Sequence, residues 1–168
     1  MQRINWFERK FDFSANQNTL PTIIERLDGT PARLAEKLRK IDPDRYKVKP
    51  DGKWSILEHI GHLSDLEPLW QGRMQDILAG AAEMRPTDLT NRQTDEANHN
   101  GQSPRDLLDD FAMLRELTVS QLRSLKEEDV FRSALHPRLK TPMRLIDLFL
   151  FVAEHDDHHL ASITELSK

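Results

Sequence analysis

The chain has 168 residues, a formal net charge of −4, 38% hydrophobic and 31% charged residues, and no cysteine. That length allows one domain with a sizeable core, and the balance of apolar and charged residues is that of a soluble helical protein rather than a disordered one. Net acidity argues against a binder of phosphate backbones, so nucleic acid is not an expected partner, and the lack of cysteine excludes disulfides, thiolate ligands and a cysteine nucleophile, leaving His, Asp and Glu for any metal.

The opening "MQRINWFERKFDFSANQ" has neither the apolar run nor the cleavage site of a signal peptide, and no later stretch is long enough to span a bilayer. The expected location is the cytoplasm, with no membrane partner. Residues 1–168 are expected to form a single domain. Residues 1–18 form its N-terminal arm, with Trp6, Phe7, Phe11 and Phe13 packing against the domain because charges interrupt their apolar face.

Four helices are predicted. In the first, Ile23, Ile24, Leu27, Leu34, Leu38 and Ile41 recur at helical spacing, and Asp28-Gly29-Thr30-Pro31 predicts either a kink or a restart capped by Thr30. The second opens with the capping-box spacing of Ser55 and Glu58 and carries Ile56, Ile60, Leu63, Trp70, Met74 and Ile77, with a bend expected near Pro68. Residues 79–102 lack periodicity, as expected of a functional flap or a disordered connection. The third helix starts at Ser103-Pro104, and Thr141-Pro142 is predicted to open the fourth. Without a sizeable strand signal, the pattern predicts an all-α four-helix bundle whose long connection between helices 2 and 3 allows a crossover.

In the last helix, positions 145, 148, 152, 155 and 159 follow the three-and-four stepping of a buried seam and read Leu, Leu, Val, His, His. Residues four apart lie one above the other, so His155 and His159 can chelate one ion, while His158 points roughly 100° away toward a rim. Buried imidazoles left unpaired cost roughly 1–3 kcal/mol each, which favours a metal or an equivalent set of partners. The second helix offers His59 or His62 as a further ligand, and periodicity does not choose between them. His99 and His136, in loops, are expected to be ordinary polar residues. Trp54 and Trp70 are expected to be core anchors, and the acids at Asp156 and Asp157 to lie on a solvated face.

The combination of "WSILEHIGHLSDLEPLWQGR" with the terminal "HPRLKTPMRLIDLFLFVAEHDDHHLASI" resembles the DinB-like, or YfiT-like, family of metal-binding four-helix bundles, over most of the chain from about residue 20. The resemblance implies up-down-down-up helix order and a site for nickel, zinc or a related divalent ion on His62, His155 and His159. His62 is preferred to His59 because a Leu and, two residues further, an acid follow it. It also implies a homodimer and a small-molecule substrate.

Members of that family include S-transferases that use low-molecular-weight thiols, alongside proteins described as metal-dependent hydrolases. The first expectation for this chain is therefore a metal-dependent transferase activating a small thiol, with residues 79–102 covering the substrate. A metal-dependent hydrolase is the alternative, and a non-enzymatic metal-binding or stress-response protein the third. The Glu of a HExxH motif is absent after His155, so the chain is not a zincin. Asp65, Glu154 and Asp156 are the candidate catalytic bases or acceptors.

Overall fold

The structure, a computed structural model, describes residues 4–13 and 15–168. Four long helices form the bundle: α1 (Leu20–Lys40), α2 (Ile56–Leu78), α4 (Pro104–Arg123) and α5 (Leu145–Leu166), with a one-turn α3 (Arg92–Glu96) in the long connection. Ion pairs from Arg26 to Asp157 and hydrogen bonds from Lys37 to Thr164 run α1 parallel to α5. Contacts of His59 with His159 and of Trp70 with Phe151 make α2 and α5 antiparallel. Leu57, Ile60 and Leu63 share a core cluster with Leu107 and Phe111, whereas Met74 and Ile77 share one with Val119 and Leu122, so α2 and α4 are parallel. The order is up-down-down-up. The connection over residues 79–103 returns the chain to the end where α2 began.

The helix starts follow their side-chain chemistry. Ser55 and Glu58 form a reciprocal capping box at α2, with Ser55 N–H donating to Glu58 Oε2 at 2.8 Å and Glu58 N–H to Ser55 Oγ at 3.2 Å. Ser103 Oγ caps α4 by accepting from Asp106 N–H at 3.1 Å. In α1 the restart does not occur: one continuous helix runs through Pro31, and the Thr30 hydroxyl lies 3.0 Å from the Arg26 carbonyl instead of capping a second helix. Pro31 has no N–H to offer the carbonyl four residues earlier, Leu27. Arg115 Nη1 supplies the missing donor at 3.2 Å.

Thr141-Pro142 does not open the last helix. Pro142–Arg144 is a three-residue strand, β2, paired antiparallel with β1 (Ser133–Leu135), and α5 begins at Leu145 under an Arg144 N–H bond to Asp147. Within the two strands only Ala134 and Met143 are buried, too few positions to give an alternating signal in sequence. The hairpin also clips residues 82–84 to the bundle through Leu135 N–H to Ala82 O and Met84 N–H to Leu135 O.

The middle of the bundle is ionic. Arg115 is 1% exposed and is held between Glu67 and Asp156, both completely buried. Asp156 also accepts from Thr30 and Glu67 from Thr118, so every charge in this layer has partners on other helices. Burial by itself lowers the Arg115 pKa, but the two carboxylates more than reverse it and raise it. The expectation that Asp156 lies on a solvated face is therefore overturned. Asp157, one residue on, faces α1 and pairs with Arg26 and Arg33.

Candidate metal centre and its cavity

His62 from α2 and His155 and His159 from α5 converge, each buried, with one ring nitrogen from each lying within 4.8 Å of the others. The antiparallel packing of α2 on α5 brings them together, and the four-residue spacing sets the two α5 rings edge to face with centroids 4.4 Å apart. The Nε2 atoms of His155 and His159 are 3.1 Å apart. Nitrogens bound about 2.0–2.1 Å from a common tetrahedral ion stand about 3.3 Å apart, so the pair already has the spacing of chelating ligands.

The outer ring nitrogens are held in different ways. His62 Nδ1 contacts Thr94 Oγ1 at 2.9 Å, and Thr94 in turn donates to Asp65 Oδ2 at 2.7 Å. His99 Nε2 reaches the same Asp65 oxygen at 2.9 Å. His159 Nδ1 meets His59 Nδ1 at 2.8 Å. His155 Nδ1 is buried without a hydrogen-bond partner among the described residues. Burial lowers all three pKa values, that of His62 to about 4 and those of His155 and His159 well below the ordinary range, with neighbouring histidines adding to the last two. At neutral pH the three rings are therefore uncharged, the form in which imidazole binds a metal. Three neutral nitrogens within 4.8 Å of one another, two of them already at chelating distance and two with their outer ring nitrogens fixed, fit a divalent ion.

The triad forms part of the wall of a cavity of about 400 Å³. Trp54 stands 4.5 Å from the His62 ring, Trp6 packs edge-on to His155 at 5.0 Å, and Trp70 and Phe151 continue the apolar wall. Trp6 belongs to the N-terminal segment, where Phe11 also packs on Phe151 at 5.1 Å. Phe7 is largely exposed, at the cavity mouth beneath the Arg138 guanidinium. His158 lines the rim, half-buried.

None of the three candidate bases lines the cavity. Asp65 lies behind His62, and its hydrogen bonds from His99 and Thr94 outweigh burial to lower its pKa. Glu154 is engaged by Arg9 and Arg26 outside the triad. Asp156 is locked to Arg115. Sequence reasoning missed Thr94 and His99, which sit in the aperiodic connection, and it treated the buried His99 and His136 as ordinary loop residues. One signal for His99 existed: Gly61 is a helical glycine, and a Cβ there would lie 2.3 Å from the His99 ring.

A model of the DinB superfamily matches residues 26–163. The chain belongs to the DinB superfamily. YuaE of Bacillus subtilis (strain 168), an uncharacterized protein, is 24% identical over 147 residues, covering 79% of this chain and 89% of its own length. YfiT of the same organism is 24% identical over 152 residues, covering 86% of this chain and 82% of YfiT. The solved structure of YfiT, described as "a probable metal-dependent hydrolase with an unusual four-helix bundle topology", superposes with a TM-score of 0.80 at 26% identity, covering 95% of this chain and 92% of that one. Among the described residues of this DinB-superfamily chain, no helix is long and apolar enough to cross a membrane.

Proposed function

We propose that the protein is a divalent-metal-dependent enzyme in which His62, His155 and His159 hold the ion and the adjoining cavity holds a small-molecule substrate. The observation that carries this is the buried triad of neutral histidines opening on an aromatic-walled cavity, with no carboxylate joining the cluster as a fourth ligand among the described residues. An ion of this kind acidifies a coordinated water or thiol enough to make it a nucleophile near neutral pH. Zinc and nickel suit an all-imidazole donor set.

The residues divide the remaining work. Thr94 and His59 keep the rings of His62 and His159 oriented, each from its outer nitrogen. Trp6, Trp54 and Trp70 exclude bulk water and offer flat faces to an apolar substrate body. Among the described residues no carboxylate stands at the triad to serve as general base, which favours a nucleophile that needs none. We take a low-molecular-weight thiol, transferred to an electrophile, as the first reaction. Hydrolysis is the second reading, favoured by the likeness to YfiT.

Elemental mass spectrometry of untagged protein purified without added metal tests the site, with His62→Ala and His155→Ala in parallel. About one equivalent of a divalent ion, lost in both variants, is the expected result. Protein that is metal-free and takes up neither zinc nor nickel on titration would overturn it. The loaded protein, given a thiol and an aryl halide or an activated ester, then separates transfer from hydrolysis by the mass of the product.

A further inference from the structure

Among the described residues the bundle buries two guanidiniums and treats them oppositely. Arg115 is 1% exposed and bound by two carboxylates and a carbonyl. Arg73 is 2% exposed, yet no carboxylate pairs with it among the described residues; Nε donates to the Arg85 carbonyl at 3.1 Å and Nη1 faces His136 Nε2 at 3.2 Å. Asp76, the carboxylate whose field reaches it, is occupied by three hydrogen bonds from Arg85. Burial, with Arg138 adding to it, pulls Arg73 down to about 10, which still leaves it charged at neutral pH. A buried cation without a counter-ion is costly to the fold unless something else is meant to neutralise it.

The contact with His136 sharpens the point. His136 Nδ1 accepts the backbone N–H groups of Arg138 and Leu139, both at 3.2 Å, so the single hydrogen of the neutral ring belongs on Nε2. Nε2–H then faces Arg73 Nη1–H, donor against donor. An oxyanion placed against both would satisfy them at once. Arg138 brings a second guanidinium to the same cavity wall, and it too has no carboxylate partner among the described residues. The cavity's one acidic lining residue among those described, Asp88, is exposed and turned toward Thr90 and Arg92.

Position is equally specific. Residues 62, 66, 69 and 73 step by four, three and four along α2, so His62 and Arg73 stand on one stripe with Leu66 and Leu69 between them, all lining the cavity. Trp70 spans the interval, its ring 5.6 Å from the Arg73 guanidinium carbon and 5.9 Å from the His155 ring. We propose that Arg73, His136 and Arg138 form an oxyanion subsite that docks a carboxylate of the substrate, leaving the apolar body along the tryptophans and the reacting group at the triad. The substrate class is then an elongated, carboxylate-bearing small molecule. This rests on the cavity being the substrate site, but not on a metal being bound.

Binding of 4-phenylbutyrate and its neutral analogue 4-phenylbutyramide to chelator-treated full-length protein tests it, by calorimetry or ligand-observed NMR at pH 7.5. The carboxylate should bind at least tenfold more tightly than the amide, and Arg73→Met should abolish that preference while amide binding stays within about threefold. Arg73→Met removes an unpaired buried charge and should melt no lower than wild type. Arg138→Gln is the second variant and should reduce the preference several-fold. Equal binding of acid and amide to wild type, or a preference that survives both variants, would overturn the subsite. Because the protein is metal-free, failure of the metal centre shows in the elemental analysis and failure of the subsite shows here.

Discussion

Replacing Thr94 with valine tests whether the outer hydrogen bonds of the triad serve metal binding or only the fold. The change is nearly isosteric and removes one hydroxyl. That hydroxyl contacts His62 Nδ1 at 2.9 Å and Asp65 Oδ2 at 2.7 Å, in a side chain that is 2% exposed. His62 is left with a buried unpaired N–H, at a cost of about 1–3 kcal/mol, whereas Asp65 keeps its bond from His99. Loss of such a partner to a ligating histidine lowers metal affinity by roughly 10–100-fold, or about 1.4–2.7 kcal/mol, the same range reached from the hydrogen bond. Competition against a chromophoric chelator measures that loss for zinc, and urea unfolding of metal-free protein measures the cost to the fold. Thr94→Ser, which keeps the hydroxyl, should stay within about threefold of wild type. If Thr94→Val destabilises the metal-free protein but leaves zinc affinity within threefold, the Thr94–His62 contact supports packing and His62 is not oriented for metal by it.

Arg115→Leu should cost about 3–5 kcal/mol in urea unfolding, because Glu67 and Asp156 are left buried together without a cation; a loss under 1 kcal/mol would mean the layer is hydrated rather than sealed. Gly61→Ala should lose about 1–3 kcal/mol and weaken zinc binding several-fold, since the new methyl occupies the His99 ring position and displaces the Asp65–Thr94 chain. Wild-type stability and zinc affinity in that variant would show that His99 moves aside freely. In metal-free protein, burial and then Arg73 and Arg138 hold His136 down to about 4, against about 6.5 when unfolded. The unfolded chain binds more protons between these values, so this contribution is intact above about pH 6.5 and is lost as pH falls toward 4, by on the order of 3 kcal/mol. His136→Asn should show a shallower decline in unfolding free energy over that window, and an unchanged slope would contradict the assignment.

Much of the bundle and part of the site could be read from seams. His155 and His159 were visible because α5 places them where Leu145, Leu148 and Val152 predict apolar residues, and the structure buries all five. Between His59 and His62 spacing was silent, since residues three apart share a side; burial and the Thr94 contact distinguish them only after α2 meets α5. Thr94 lies in an aperiodic stretch, where a short polar residue carries no signal until the chain folds back on α2. The missed ionic layer is different, because its signal was present. On α2 the stepping Ile60, Leu63, Glu67, Trp70, Met74 puts an acid in a core seam, and on α4 the stepping Phe111, Arg115, Thr118, Leu122 puts a base in another. Two opposite charges on the apolar seams of two helices predict a buried pair more strongly than either charge predicts alone. The same rule extends to α5. Phe149, Ala153, Asp156, Leu160 and Ile163 form a second seam one step around from the histidine seam, all buried. A helix bearing two adjacent seams faces the cavity with one and the α1–α4 side with the other, so His155 and Asp156 are neighbours in sequence and belong to different chemistries. By that logic Arg73, a buried arginine continuing the His62 stripe and paired with no carboxylate among the described residues, is a charge for which the proposed substrate carboxylate would be the partner.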